Sequence, residues 1–139
     1  MNQLLDLLDH TIQEMGMSDP KYIQGSDSLE KAIKMMQEFK IGSALVIDEK
    51  VNLLGIITER DLLMKVMGKG VDLSDQVSNY MTANPKTVAA NESLIVALSL
   101  MSREGFRHLP VVNLDKKPIG IISIRDIMSY FTNHLHDEL

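Results

Sequence analysis

Two residue pairs in this chain have the types and spacing to hold a hydroxyl-bearing ligand. Thr58 stands three residues before Asp61, and Ser123 stands three before Asp126, each pair following a Gly-Ile-Ile segment. A carboxylate has two oxygens and about four lone-pair sites, so it can accept from two vicinal hydroxyls at once. That geometry suits a ribose, with the acid on the 2′ and 3′ oxygens and the Thr or Ser hydroxyl assisting. Each hydroxyl falls where a strand is predicted to end, and each acid falls in the first turn of the next helix. Backbone N–H groups and the helix dipole point outward there. A purely structural reading stands beside this one. Thr58 and Ser123 could be N-caps, and Asp61 and Asp126 first-turn acids stabilised by the dipole, by about 0.3–1 kcal/mol each. The recurrence of hydroxyl and acid in the same register favours function.

That recurrence is part of a longer one. Gly55-Ile56-Ile57-Thr58-Glu59-Arg60-Asp61 returns 65 residues later as Gly120-Ile121-Ile122-Ser123-Ile124-Arg125-Asp126. The register runs backwards without a gap: Val46 falls on Val111, Met36 on Met101, Ala32 on Ala97, Ser28-Leu29 on Ser93-Leu94, and Pro20-Lys21 on Pro85-Lys86. Two copies suggest a closed pair, since a solenoid needs three or more.

Each copy reads as strand, helix, strand, strand, helix. Tyr22–Gln24 and Lys86–Val88 are the first strands. Leu29, Ala32, Ile33, Met36 and Phe39 recur at spacings of three and four, as do Leu94, Ala97, Leu98 and Met101, so each set makes one apolar helix face. Ser26 or Ser28, and Asn91 or Ser93, are the candidate caps. Ala44–Ile47 and Leu109–Val112 are short apolar runs, Leu53–Ile57 and Ile119–Ile122 their return strands. Helices follow over Glu59–Met67 and Ile124 to about Phe131. The expected organisation is an N-terminal amphipathic helix over 1–14, a first motif over 15–70, a linker over 71–76, a second motif over 77–133, and a tail over 134–139. One copy cannot cover both faces of its sheet with two helices, so the fold class expected is α/β (α+β), with two motifs packed through their sheets by a pseudo-two-fold.

Composition narrows the function. Fourteen Lys and Arg against nineteen Asp and Glu give a net charge of −5, which argues against a nucleic-acid surface. With no cysteine there is neither a disulfide nor a thiolate nucleophile. No apolar run approaches the ~20 residues of a membrane span. The cytoplasm is the expected compartment, and no membrane or nucleic-acid partner is expected. His134-Leu135-His136 with Asp137 and Glu138 could catch a metal, but a solvated tail is the expectation, because residues i and i+2 do not share a helix face. No catalytic set stands out, so an enzyme is not expected.

The chain resembles a tandem pair of cystathionine-β-synthase (CBS) domains, the Bateman module. The residues that carry the resemblance are Met81-Thr82-Ala83-Asn84-Pro85-Lys86-Thr87-Val88, Phe106-Arg107-His108-Leu109-Pro110-Val111-Val112 and both Gly-Ile-Ile-(Thr/Ser)-x-x-Asp segments. The resemblance implies a β-α-β-β-α unit, two related clefts that bind adenosyl ligands, and a sensor in place of a catalyst. Carried over, one cleft would take Tyr22, Ile41, Ser43, Arg107, His108, Ile121, Ser123 and Asp126. The other would take Ile56, Thr58, Asp61, Thr87, Phe106 and His108. Arg107 and His108 stand where phosphate-binding basic residues occur in the family, whereas the matching first-copy positions are Gly42 and Ser43. Tyr22 departs from the threonine usual at its strand. The Asp126 cleft is therefore the expected nucleotide-phosphate site, with Asp61 suited to a less charged adenosine derivative or left empty.

The function expected is a stand-alone regulatory module. It would sense AMP, ADP, ATP or an S-adenosylmethionine-like ligand without a resident cofactor, form a homodimer and act on an effector protein. The competing reading is a ligand-free assembly module acting through dimerisation.

Overall fold

The computed structural model describes residues 3–135. Along the chain run helices α1 (Gln3–Asp9) and α2 (Ile12–Met15), strand β1 (Tyr22–Gln24), helix α3 (Leu29–Phe39), strands β2 (Ser43–Ile47) and β3 (Leu53–Thr58), and helix α4 (Glu59–Lys65). A 3₁₀ turn over Val77–Asn79 leads into strands β4 (Thr82–Ala83) and β5 (Val88–Ala89). Helix α5 (Leu94–Glu104), strands β6 (His108–Val112) and β7 (Pro118–Ser123), and helix α6 (Ile124–Leu135) complete the described residues. The fold is mixed α and β, with one sheet ordered β1-β2-β3-β4 and another ordered β5-β6-β7.

The chain divides into two compact units. A continuous unit spans Pro20–Pro85, and a composite unit joins the N-terminal segment through Asp19 to the residues from Lys86 onward. The two boundaries fall at Pro20 and Pro85, equivalent positions of the repeat. Each unit is thus one sheet-and-helix motif closed by a leader segment that precedes the other motif in sequence.

The leaders repeat too. In the continuous unit the N–H of Leu29 donates to the carbonyl of Asp75, and that of Val77 to Asp27. In the composite unit the N–H of Leu94 donates to His10, and that of Ile12 to Glu92. All four residues are shifted by the same 65 positions. The bridges Ser28–Gln76 and Thr11–Ser93 complete the match. A helix leaves its first N–H groups without internal partners, and here the leader carbonyls take one in each unit. Leu73 supplies a further one, accepting from Glu30.

The N-terminal segment, expected as a single amphipathic helix, is broken at His10 and Thr11. Thr11 caps α2 with a capping box closed by Glu14, and the break frees the His10 carbonyl to receive Leu94. The apolar pattern is satisfied in part: Leu7 and Ile12 are buried, whereas Leu4 and Leu5 are exposed. In the first strand of the second copy the observed residues are Val88–Ala89, shorter than the expected Lys86–Val88 and shifted towards the C-terminus. Ser28 and Ser93 are the N-caps of α3 and α5; Ser28 accepts from the N–H of Lys31 at 3.1 Å, whereas Ser93 makes no side-chain cap bond.

Two cores follow. Ile23, Leu29, Ala32, Ala44, Val46, Ile57, Val66 and Val77 fill the continuous unit. Ile12, Val88, Leu94, Ala97, Met101, Leu109, Val111, Ile122 and Ile127 fill the composite one. The parallel pairing of β1 with β2, and of β5 with β6, places a short apolar strand beside the return hairpin in each unit. The hairpins put Ser43 opposite Thr58 and His108 opposite Ser123, so corresponding residues reach the strand ends where α4 and α6 begin.

Candidate functional site

In both units the hydroxyl and the acid form a reciprocal cap. Thr58 Oγ1 accepts from the N–H of Asp61 at 3.1 Å, and Asp61 Oδ2 accepts from the N–H of Thr58 at 3.0 Å. Ser123 Oγ accepts from the N–H of Asp126 at 3.0 Å, and Asp126 Oδ2 accepts from the N–H of Ser123 at 2.8 Å. Such caps stabilise a helix by about 1 kcal/mol. The structural role expected for these four residues is therefore present in both copies. The carbonyls of Gly42 and Arg107 extend the likeness, accepting from Glu59 and Ile124, the first residues of α4 and α6.

The remaining carboxylate capacity differs sharply. Asp61 is 6% exposed. Its Oδ2 also accepts from Thr58 Oγ1 at 3.0 Å. Its Oδ1 accepts from Thr82 Oγ1 at 2.9 Å and pairs with Lys65 Nζ at 2.9 Å. Four donors thus converge, the cap's own included: one N–H, two hydroxyls and an ammonium. Asp126 is half-buried. Among the described residues its only hydrogen-bond donor is the N–H of Ser123, at Oδ2, and Oδ1 has no partner.

The reason lies in the residues at the two matching positions. Tyr130 occupies the place of Lys65, and its hydroxyl pairs with His10 Nδ1 at 2.5 Å. Ser18 pairs with Ile121 as Thr82 pairs with Ile56, so the leader strand is matched one residue out of the repeat register, which would set Met17 on Thr82. Ser18 is exposed and contributes no bond to Asp126. Burial, with the Glu14 charge adding to it, pushes the Tyr130 phenol above its ordinary range.

The other expected residues fall into place by unit. Arg107, His108, Ile121, Ser123 and Asp126 all belong to the composite unit, Arg107 exposed just before β6 and His108 at its first residue. Tyr22, Ile41 and Ser43 belong to the continuous unit with Ile56, Thr58 and Asp61. There Ile41 lines an open groove of about 420 Å³ with Ile33, Met36, Gln37, Lys40, Glu59 and Leu62. Thr87 precedes β5, and Phe106 packs against the composite core. Sequence reasoning missed Lys65 and Thr82. The i, i+4 spacing of Asp61 and Lys65 was the available signal for the first.

With this geometry in place, likeness to other proteins can be read against it. The CBS domain family matches residues 12–68 and 77–133. The chain belongs to the CBS domain family. The two matched stretches are the two copies of the repeat, leaders included, so the family unit and the 65-residue register coincide. An uncharacterised 17.7 kDa protein of Acidianus ambivalens is 39% identical over 100 residues, covering 72% of this chain and 60% of that protein. The mitochondrial CBS domain-containing protein CBSX3 of Arabidopsis thaliana is 33% identical over 141 residues, covering 93% of this chain and 68% of its own. The chain thus spans less than two thirds of the Acidianus relative. Among solved structures, that of CBSX2 in complex with AMP matches with a TM-score of 0.75 at 26% identity, over 94% of this chain and 99% of that one.

As a CBS pair the chain carries its distinctive polar residues at the starts of α4 and α6. Among the described residues no helix is long and apolar enough to cross a membrane, and no group of three His, Asp or Glu side chains could hold a metal ion. His134 stacks on Tyr130 with ring centroids 4.2 Å apart, while His136, Asp137 and Glu138 lie outside the described residues.

Proposed function

We propose that this CBS pair is a non-catalytic cytoplasmic regulatory module that binds an adenosine nucleotide through Asp126. The observation that carries this reading is Asp126 Oδ1, without a hydrogen-bond partner among the described residues, on a carboxylate held by a reciprocal cap at the start of a twelve-residue helix. A ribose diol can donate to that oxygen, and the α6 N-terminus favours negative charge. Arg107 is exposed beside the same helix start, its carbonyl bonded to Ile124, and supplies a cation for a phosphate. Ile121 and His108 complete the composite-unit residues of the site. The AMP complex of CBSX2 supports the choice of ligand class.

Binding regulates only through a difference in affinity between two states of the module or its assembly. A second copy of the chain and an effector protein are the proposed partners. The exposed Leu63, Met64 and Met67 give dimerisation an apolar surface on the continuous unit. That surface is also what favours the second reading, an assembly module without ligand.

Thermal unfolding against AMP, ADP, ATP, NADH, S-adenosylmethionine and GTP tests the proposal. A ligand that binds only the native state at a hundredfold excess over Kd adds about 2.7 kcal/mol, which for a chain this size is a rise of several degrees. A rise with an adenosine ligand, lost in Asp126→Ala, is the expected result. A flat response to the whole panel at millimolar concentration contradicts it and favours the assembly reading.

A further inference from the structure

We infer that Lys65 and Thr82 are built-in occupants of the Asp61 carboxylate, so that the chain takes one diol-bearing ligand, at Asp126, and not two. The inference rests on the reading of Asp126 as the ligand-holding acid and sets its stoichiometry. At Asp61 Oδ1, an ammonium and a hydroxyl each donate from 2.9 Å, the place and number of donors that a vicinal diol would bring. At Oδ2 the N–H and the hydroxyl of Thr58 take the remaining capacity.

Lys65 is itself fully engaged. Its ammonium has three protons, and it meets Asp61 Oδ1, the carbonyl of Tyr80 at 3.0 Å and the carbonyl of Met81 at 3.4 Å. It therefore ties α4 to the leader that brings Thr82, and the plug and the closure of the unit are one structure. A ligand diol would have to displace the ammonium from Asp61 Oδ1 and disturb its bonds to the Tyr80 and Met81 carbonyls, exchanging an ion pair with charge on both partners for hydroxyl bonds with charge on one. In the composite unit the repeat position of Lys65 carries Tyr130, engaged with His10, and the pairing position of Thr82 carries Ser18, which among the described residues bonds no side chain of the site. The plug is absent there by residue type: a phenol whose hydroxyl is spent on His10 does not reach back to the acid.

Calorimetric titration of AMP into the full chain is the test. The expected result is one site per chain, kept in Asp61→Asn and lost in Asp126→Asn, with a second site appearing in the Lys65→Met, Thr82→Val double variant. Two sites in the unaltered chain, each lost with its own acid, overturn the plug while leaving the Asp126 reading intact. A single site that persists unchanged in the double variant also overturns it. If AMP fails to bind at all, the ligand reading fails, and the plug is decided without ligand by a double-mutant cycle in thermal unfolding. Melting losses of Lys65→Met and Asp61→Asn that are less than additive support the pair; strictly additive losses overturn it.

Discussion

The two halves of this chain began from one pattern and now use the same acid differently. In the continuous unit Asp61 is buried, four donors surround it, and its neighbours Lys65 and Thr82 come from the helix and the leader that close the unit. In the composite unit Asp126 keeps, among the described residues, only the cap. A repeat therefore preserves backbone geometry more faithfully than side-chain engagement. The main N–H and carbonyl bonds between leader and helix start recur, whereas Lys65 against Tyr130 in the repeat, and Thr82 against Ser18 in the strand pairing, decide whether the carboxylate is available.

The largest expected difference is in binding. Asp126→Ala should lower affinity for an adenosine nucleotide by a hundredfold or more, measured by titration, while Asp61→Ala leaves that affinity in place. Asp61→Ala should instead lower stability by about 2 kcal/mol, because it removes a cap and several charge-assisted bonds. The reverse pattern in denaturant melts and titrations would dissolve the distinction between the units.

Next come the paired glycines. A Cβ on Gly55 would sit 2.6 Å from the backbone carbonyl of Thr82, which is fixed by the β3–β4 pairing. On Gly120 its nearest atoms are all of the Met17 side chain, whose flexible Sδ and Cγ lie closest and can move, the Cβ following at 3.1 Å. Gly55→Ala is expected to cost about 2–3 kcal/mol and Gly120→Ala about 1 kcal/mol or less, read from urea unfolding. Equal losses would mean that the Met17 contact is as rigid as the strand.

A smaller contrast lies at the ends of α3 and α5. Lys40 and Gly105 occupy the same repeat position, both left-handed, with φ of 54° and 72°. A side chain is strained there and glycine is not. Lys40→Gly should raise stability by about 0.5–1 kcal/mol, while Gly105→Lys should lower it by a similar amount.

The smallest effect is pH-dependent. In each unit a tyrosine hydroxyl bonds a leader residue: Tyr130 of α6 meets His10, while Tyr80, itself in the leader, donates to Asp75 at 2.7 Å within it. The bond to Asp75 raises the Tyr80 phenol above its ordinary value of 10.0, with burial and the Asp75 charge adding to it. A raised folded value means that the contribution is fully present below about pH 10 and is lost as pH climbs through the folded value. The melting difference between the unaltered chain and Tyr80→Phe should therefore be constant near neutrality and shrink above about pH 10. A difference that grows with pH would contradict the bond's direction.

Much of this was legible in the residues. The apolar faces of α3 and α5, the hairpins and the hydroxyl–acid pairs follow from periodicity and from an ungapped register, because backbone and core positions change only conservatively. The leaders were not. Residues 10–18 and 75–82 share few identities, and backbone carbonyls, which any residue carries, make their main bonds. Nothing in the sequence of His10 or Asp75 says that its carbonyl will meet an α-helix start. The plug was half legible: Asp61 and Lys65 are spaced to pair on one helix face, but the approach of Thr82 depends on the β3–β4 pairing twenty residues away. Ser28 and Ser93 show the same limit of local signals. They are the same cap residue in the same register, yet only Ser28 makes a side-chain bond to its helix.

The central claim is that one carboxylate is free for a ligand and the other is already taken. The most direct measurement follows the side-chain carboxyl resonances of Asp61 and Asp126 by carbon-13 NMR during an AMP titration of the full chain. A saturable shift at Asp126 with Asp61 unmoved is the predicted result. A shift at Asp61 of similar size, or movement at Asp61 alone, would contradict it.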